Sequence, residues 1–294
     1  MTKTGKGRRI FLETSAVIYE LHGHSLMQAA VRNATTDGRV EVSNFIRMEY
    51  LRGFVLNLIE FYFLLGESDS VEDAFIDWSQ KINQDRKLKV ILMTVHSWLV
   101  DQDDWQAKEK SLRRLGDGIV RLVYTFDEVF IRRSRDHLSC ELGRIFFPPR
   151  AFDENMLLEF YDRFKNIQRG VPGCDLCYFK AWQKRSLLAR RIDLHSDARR
   201  QEFRRYKGYV SQAERLEAAA TTSDTSPRCR WCERLGDSII ILHAPEKAAL
   251  VTADQAFVPF RQILNREVRL LPSLAQLKRQ LRQQQVGKRA TDTP

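Results

Sequence analysis

The sequence predicts an α/β fold built on a parallel sheet and interrupted by a mainly helical insertion. Three observations carry this reading. The chain opens on a β–α–β alternation, loses it between about 67 and 228 where helix-like patterns dominate, and regains it from 229 onward. Alternating strands and helices of this kind bury a parallel sheet between helices, because parallel neighbours need a crossover connection.

Taken in order, "RRIFL" is a short apolar run suited to a buried strand, and "TSAVIYEL" is a helix opening at Thr14 or Ser15. "SLMQAAVRNATTDG" is a second helix stopped by Gly38, and "RVEVSNF" alternates as a strand does. "IRMEYLRGFVLNLIEFYFLLGES" is a long apolar helix, and "VEDAFIDWSQKINQ" is amphipathic. Further helices are expected in "WQAKEKSLRRLGDGIVRLVYTFDEVFIRR", "DENMLLEFYDRFKNIQR" and "YFKAWQKRSLLARRI", with a break at "FFPPR" and a loop at "AAATTSDTSP". The alternation then returns as helix "ERLGDSIIILHA", strand "AALVTAD", helix "QAFVPFRQILN" and strand "EVRLLPS". The expected organisation is a discontinuous core over 8–66 and 229–272, an insertion over 67–228, and a basic helix and tail over 273–294.

With 294 residues, 43% of them apolar and 10% aromatic, the chain is long enough and apolar enough for a packed core. A net charge of +10 and an isoelectric point near 9.5 favour a polyanionic partner, nucleic acid before an anionic membrane surface. The most apolar run, 54–65, is about half the length of a membrane span and contains Glu60. At the start only Ile10 to Leu12 separate the basic opening from Glu13, so no signal peptide is expected and the cytoplasm is the expected compartment. There, paired cysteines suggest a metal before a disulfide.

Four carboxylates stand out by position. Glu13 ends the first strand and Asp254 ends "ALVTAD", both at the carboxyl edge where parallel sheets bind ligands. Glu49 falls in the first turns of the helix after the second strand, and Asp237 near the start of the apolar helix "GDSIIILHA". An acid on such a helix is costly unless a cation compensates it. Singly, each more often serves as a helix cap or a surface charge. Together at one sheet edge they would suit the hard cations Mg²⁺ or Mn²⁺. Such ions permit phosphodiester hydrolysis, one lowering the pKa of an attacking water and another stabilising the leaving oxygen.

"IFLETSAVIYEL", "SNFIRMEYLRG", "GDSIIILHA" and "LVTADQAF" resemble the four motifs of PIN-domain ribonucleases. The family's ordered acids fall on Glu13, Glu49, Asp237 and Asp254, its small polar position on Thr252, and the hydroxyl after its first acid on Thr14 or Ser15. The resemblance implies a three-layer α/β/α fold with a central parallel sheet and Mg²⁺- or Mn²⁺-dependent endonuclease activity, most often on RNA. It covers 8–66 and 229–272, about a third of the chain. Each motif alone is degenerate, whereas four in order and in the right secondary-structure context are far more specific. Two departures stand beside it. The family's first acid is almost always an aspartate, and the extra methylene of Glu13 moves the carboxylate by more than about 1 Å, a misplacement that can lower a rate about 10²-fold. Glu49 and Asp237 are also 188 positions apart, which requires an insertion that minimal members lack.

The insertion carries two chemistries of its own. "GCDLC" and "RCRWC" pair Cys174 with Cys177 and Cys229 with Cys232. Each C-x₂-C presents two thiolates to one ion, and two of them make a closed tetrahedral site for structural Zn²⁺. An iron–sulfur cluster is the alternative. The 51 residues between the pairs exceed a zinc-ribbon spacing, so the site reads as a clip closing a long loop. Cys232 lies five positions before Asp237, so the clip would fix the start of an acid-bearing helix.

Between Arg163 and Lys207, 13 basic residues face four acidic ones, a local excess of +9. Lys180, Lys184, Arg185, Arg190 and Arg191 form its first part; Arg199, Arg200, Arg204, Arg205 and Lys207 form the denser second part. Interleaved aromatics such as Tyr178, Phe203 and Tyr206 suit a surface that grips phosphates and stacks bases. The other reading is a solvated helix face with its aromatics packed inward.

The sequence thus predicts a metal-dependent endoribonuclease acting through metal-activated water and leaving 5′-phosphate and 3′-hydroxyl ends. Two alternatives stay open. One is a catalytically inactive RNA- or protein-binding module, suggested by Glu13; the other is a structure-specific DNA nuclease. RNA is the expected partner, with DNA behind it, a regulatory protein or a homodimer possible beside it, and no membrane.

Overall fold

A computed structural model describes residues 8–82, 86–100, 104–133, 152–165, 240–241, 243–258, 261 and 265–291. In chain order the elements are β1 (Arg8–Leu12), α1 (Thr14–His22), α2 (Ser25–Thr35), β2 (Gly38–Glu41), α3 (Asn44–Tyr50) and, after one π turn at Leu51–Val55, α4 (Leu56–Glu67). Then come α5 (Val71–Ile82), α6 (Arg86–Leu99), α7 (Lys108–Arg133), α8 (Glu154–Lys165), β3 (Ala249–Thr252), β4 (Val268–Leu270) and α9 (Leu274–Thr291). These elements are α/β and mostly helical, with one four-stranded parallel sheet. They fall into two compact units, 8–43 with 240–291, and 44–165.

The first unit holds the sheet, in the order β2-β1-β3-β4 with every pair parallel. The two central strands carry the continuous apolar runs, as strands covered on both faces must. Ile10, Leu12, Leu250 and Val251 are fully buried, and β3 is buried along its whole length. The edge strands β2 and β4 are only partly covered. A side chain on Gly38, where β2 begins, would collide with the Arg8 carbonyl and approach Ile10 Cγ1 within 2.9 Å, so the close start of the β1–β2 pair requires glycine there. Helices α1 and α2 supply the crossover from β1 to β2 and pack against the sheet. The turn into β4 passes through Asn265 at φ 46°, a left-handed conformation that asparagine tolerates.

The second unit is a helical bundle. The predicted long helix after the second strand begins at Asn44, so the strand-like reading of "RVEVSNF" runs four residues past the end of β2 at Glu41 and into the helix start. Its register shifts at the π turn, where the Leu56 N–H donates to the Leu51 carbonyl. Asn57 Nδ2 donates to the Gly53 carbonyl of this turn at 2.7 Å. The α4 C-terminus is closed by Lys108 Nζ, which donates to the carbonyls of Gly66 and Ser68 at 2.8 and 2.5 Å. At the start of α5 the Asp73 N–H donates to Ser70 Oγ at 3.1 Å, and Ser70 Oγ donates to Asp73 Oδ2 at 2.6 Å. Helix α6, which was not singled out in the sequence, buries Ile91, Val95 and Leu99 at i, i+4 and i+8. Among the described residues of "QAFVPFRQILN", Gln255–Phe257 form a single 3₁₀ turn where a helix is predicted.

Candidate active site at the carboxyl edge of the sheet

Parallel pairing of β1 with β3 sets Leu12 opposite Val251, so the next residues of both strands, Glu13 and Thr252, reach the same carboxyl edge. The Glu13 N–H continues the ladder to the Val251 carbonyl at 3.0 Å, and the Leu271 N–H does the same to the Thr252 carbonyl at 2.7 Å. Glu13 then leaves the sheet in an extended conformation at the N-cap of α1, where its side chain makes no cap hydrogen bond. The carboxylate turns toward β3 instead.

There, two hydroxyls converge on one oxygen. Thr252 Oγ1 donates to Glu13 Oε2 at 3.0 Å, and Ser15 Oγ donates to the same atom. Each hydroxyl also accepts from the turn that follows β3. The Ala253 N–H donates to Ser15 Oγ at 2.9 Å and the Asp254 N–H donates to Thr252 Oγ1 at 2.9 Å. A hydroxyl has one proton and two lone pairs, so each bridges the turn to the acid without leaving a polar group unmatched. Glu13, Thr14 and Thr252 are buried, whereas Asp254 is exposed. The network ties the first acid to the turn carrying the fourth, across 239 positions of sequence between Glu13 and Thr252.

Of the two hydroxyl residues suggested for the position after the first acid, Ser15 is the one that meets Glu13, while Thr14 is buried in the first turn of α1. Carboxylate and hydroxyl oxygens are the donors that Mg²⁺ and Mn²⁺ prefer, so the chemistry of this edge fits such an ion. Among the described residues, no group of three or more His, Cys, Asp or Glu is positioned to hold a metal. Asp237, the cysteines Cys174, Cys177, Cys229 and Cys232, and the basic residues from Lys180 to Lys207 all lie outside the described residues.

Glu49 belongs to the second unit, half-buried on α3. Its helix is held by a feature the sequence reading did not identify. Arg47, fully buried, forms a two-pronged ion pair with Asp127 of α7: Nε to Oδ1 at 2.7 Å and Nη2 to Oδ2 at 2.9 Å. Tyr50 stacks on Phe126 with ring centroids 3.9 Å apart, and the Arg47 guanidinium lies 5.9 Å from the Phe130 ring. Burial pushes the Asp127 carboxyl up from its ordinary value while Arg47 pulls it down; burial, helped by Asp127, also pushes the Tyr50 phenol well above its usual range. The sequence signal was an acid inside the apolar stretch "VYTFDEVF" and an arginine inside "NFIRMEY".

Comparison of the chain with protein-family models, with curated proteins and with solved structures finds no match. No described helix is long and apolar enough to cross a membrane.

Proposed function

We propose that this chain is a metal-dependent endoribonuclease with a PIN-like, three-layer α/β/α core. Glu13, Glu49, Asp237 and Asp254 would hold one or two Mg²⁺ or Mn²⁺ ions. The observation that carries the reading is the carboxyl edge of β1 and β3, where Glu13 and the Asp254 turn are joined through Ser15 and Thr252. An ion bound there would supply a water of lowered pKa and neutralise charge on the leaving oxygen. The residues of the chain do the positioning. Ser15 and Thr252 fix the rotamer of Glu13, and the turn at 253–254 carries Asp254 out of the sheet edge toward solvent, where a phosphodiester can reach it. The four cysteines would hold a structural Zn²⁺, and the basic stretch 180–207 would grip RNA phosphates.

The second reading, a catalytically inactive RNA- or protein-binding module, is favoured by one residue, the glutamate at position 13. Purified full-length protein with Mn²⁺, offered RNA and DNA, separates the readings. Cleavage of RNA that is lost in Asp237→Asn and at least about 10-fold weaker in Thr252→Val supports the enzyme, since displacing a catalytic group costs rate steeply. If neither polymer is cut and Glu13→Asp restores nothing, the inactive module stands. Cleavage of DNA alone makes the chain a DNA nuclease.

A further inference from the structure

We propose that α9 is a cationic arm that binds the phosphate backbone of single-stranded RNA, separately from the acidic edge and from the basic insertion. The helix is anchored at its N-terminus. Ser273 and Gln276 close a capping box, the Ser273 N–H donating to Gln276 Oε1 at 2.7 Å and the Gln276 N–H to Ser273 Oγ at 3.3 Å. Leu274, Leu277 and Leu281 recur at i, i+3 and i+7, and the helix packs on α2. Leu274 and Leu277 are partly covered, but Leu281 is 43% exposed, so the apolar stripe loses its support after two turns.

Past that point the composition changes. Across Leu274–Thr291 there are five cations, Lys278, Arg279, Arg282, Lys288 and Arg289, and no acid. At 100° per residue, Lys278 and Arg282 fall within about 40° of one another, one turn apart, with Arg279 beside them. Cations at i, i+3 and i+4 repel one another and weaken an isolated helix. Some surface cations elsewhere are offset by acids: Arg163 pairs with Glu159, and Lys110 and Arg114 pair with Asp104. Lys278, Arg279 and Arg282 are exposed and make no ion pair among the described residues. A row of unmatched cations on a helix is the electrostatic complement of a row of phosphates, and the glutamines between them add neutral donors. An anionic membrane surface is the weaker fit. Helices that lie on membranes need a broad apolar face with aromatic anchors; α9 has no aromatic residue, and its leucines begin against α2.

The choice of RNA as the polyanion rests on the reading of this chain as a ribonuclease, so binding is measured with EDTA present, where catalysis plays no part. The full-length chain is titrated into labelled oligouridylate over a range of salt. The variant Lys278→Gln/Arg279→Gln/Arg282→Gln should lower the salt slope by about 2, at about 0.7 per single-strand contact, and weaken binding about 10²-fold at 0.1 M salt. A control, Arg39→Gln/Arg113→Gln/Arg121→Gln, removes the same charge from exposed positions elsewhere and should leave the slope in place. Substituting Arg279 and Arg282 by lysine should retain binding. An unchanged slope in the α9 variant overturns the proposal, as does an equal loss in the control. So does a loss confined to phosphatidylserine vesicles or to DNA of the same sequence. RNA binding that survives in a chain found to cut nothing would sink the nuclease reading and leave the arm intact.

Discussion

At the scale of single residues, two buried polar features stand out, the hydroxyl bridge at Glu13 and the ion pair between Arg47 and Asp127. They differ in kind. The bridge joins strand ends and leaves Asp254 exposed to solvent. The ion pair is sealed among Tyr50, Phe126 and Phe130, where its Coulomb energy is spent against desolvation. Removing one partner is therefore far worse than removing both. Arg47→Met should destabilise the second unit by about 3–5 kcal/mol in urea unfolding, because the Asp127 carboxylate is left buried and unpaired. Arg47→Met/Asp127→Leu should recover most of that loss; a double variant as unstable as the single would show that the pair does not act through charge. In the sequence Glu49 was visible and Arg47, two positions before it, was not. An acid after a strand is a local pattern, whereas the partner that explains Arg47 is 80 positions away.

Among elements, β4 shows how an edge strand is fastened by charge. Arg269 on β4 donates to both carboxylate oxygens of Asp37 at 2.6 Å and to the Ala34 carbonyl at 2.6 Å, while Arg8 on β1 pairs with Asp37 at 3.3 Å and with Glu267. Hydrogen bonding to Arg269 lowers the Asp37 carboxyl from 3.8 to about 2. A carboxyl whose folded pKa is depressed contributes stability that is present above its unfolded value and lost as pH falls through the folded one. The stability difference between the wild type and Arg269→Gln should therefore be full above pH 3.8 and shrink toward pH 2, read by urea unfolding at a series of pH values. A difference constant across that range would mean that Arg269 acts by packing alone. Most elements were legible in the sequence, because apolar spacing sets which face is buried: the "IFL" run became β1, "ALVT" became β3, and the stripe of "VRLVYTFDEVF" became the buried face of α7. The π turn at Leu51–Val55 was not legible, since shifting a helix register by one residue leaves the apolar pattern of "EYLRGFVLNL" unchanged.

For the whole molecule, the chain divides at 43/44, so the helix carrying Glu49 groups with the helical bundle, although its motif follows the β2 strand directly. The proposed cysteine clip makes a prediction at this scale. Metal analysis should find about one zinc per chain, lost in Cys174→Ser or Cys229→Ser, with nuclease activity reduced although no acid has been touched. A brown chromophore with little zinc would replace zinc by an iron–sulfur cluster. By itself the sequence determined most of the strands and helices, the order of the acids, and that Glu13 and Asp254 lie at the carboxyl ends of two strands or just beyond them, because all of these follow from periodicity and from short-range spacing. Only the tertiary structure decided that β1 lies between β2 and β3, that Ser15 bridges Glu13 to the turn beyond β3, and that Arg47 is neutralised by Asp127. Each of those depends on strand order or helix packing that brings together residues distant in the chain, and no local pattern of residues encodes which distant partner will arrive.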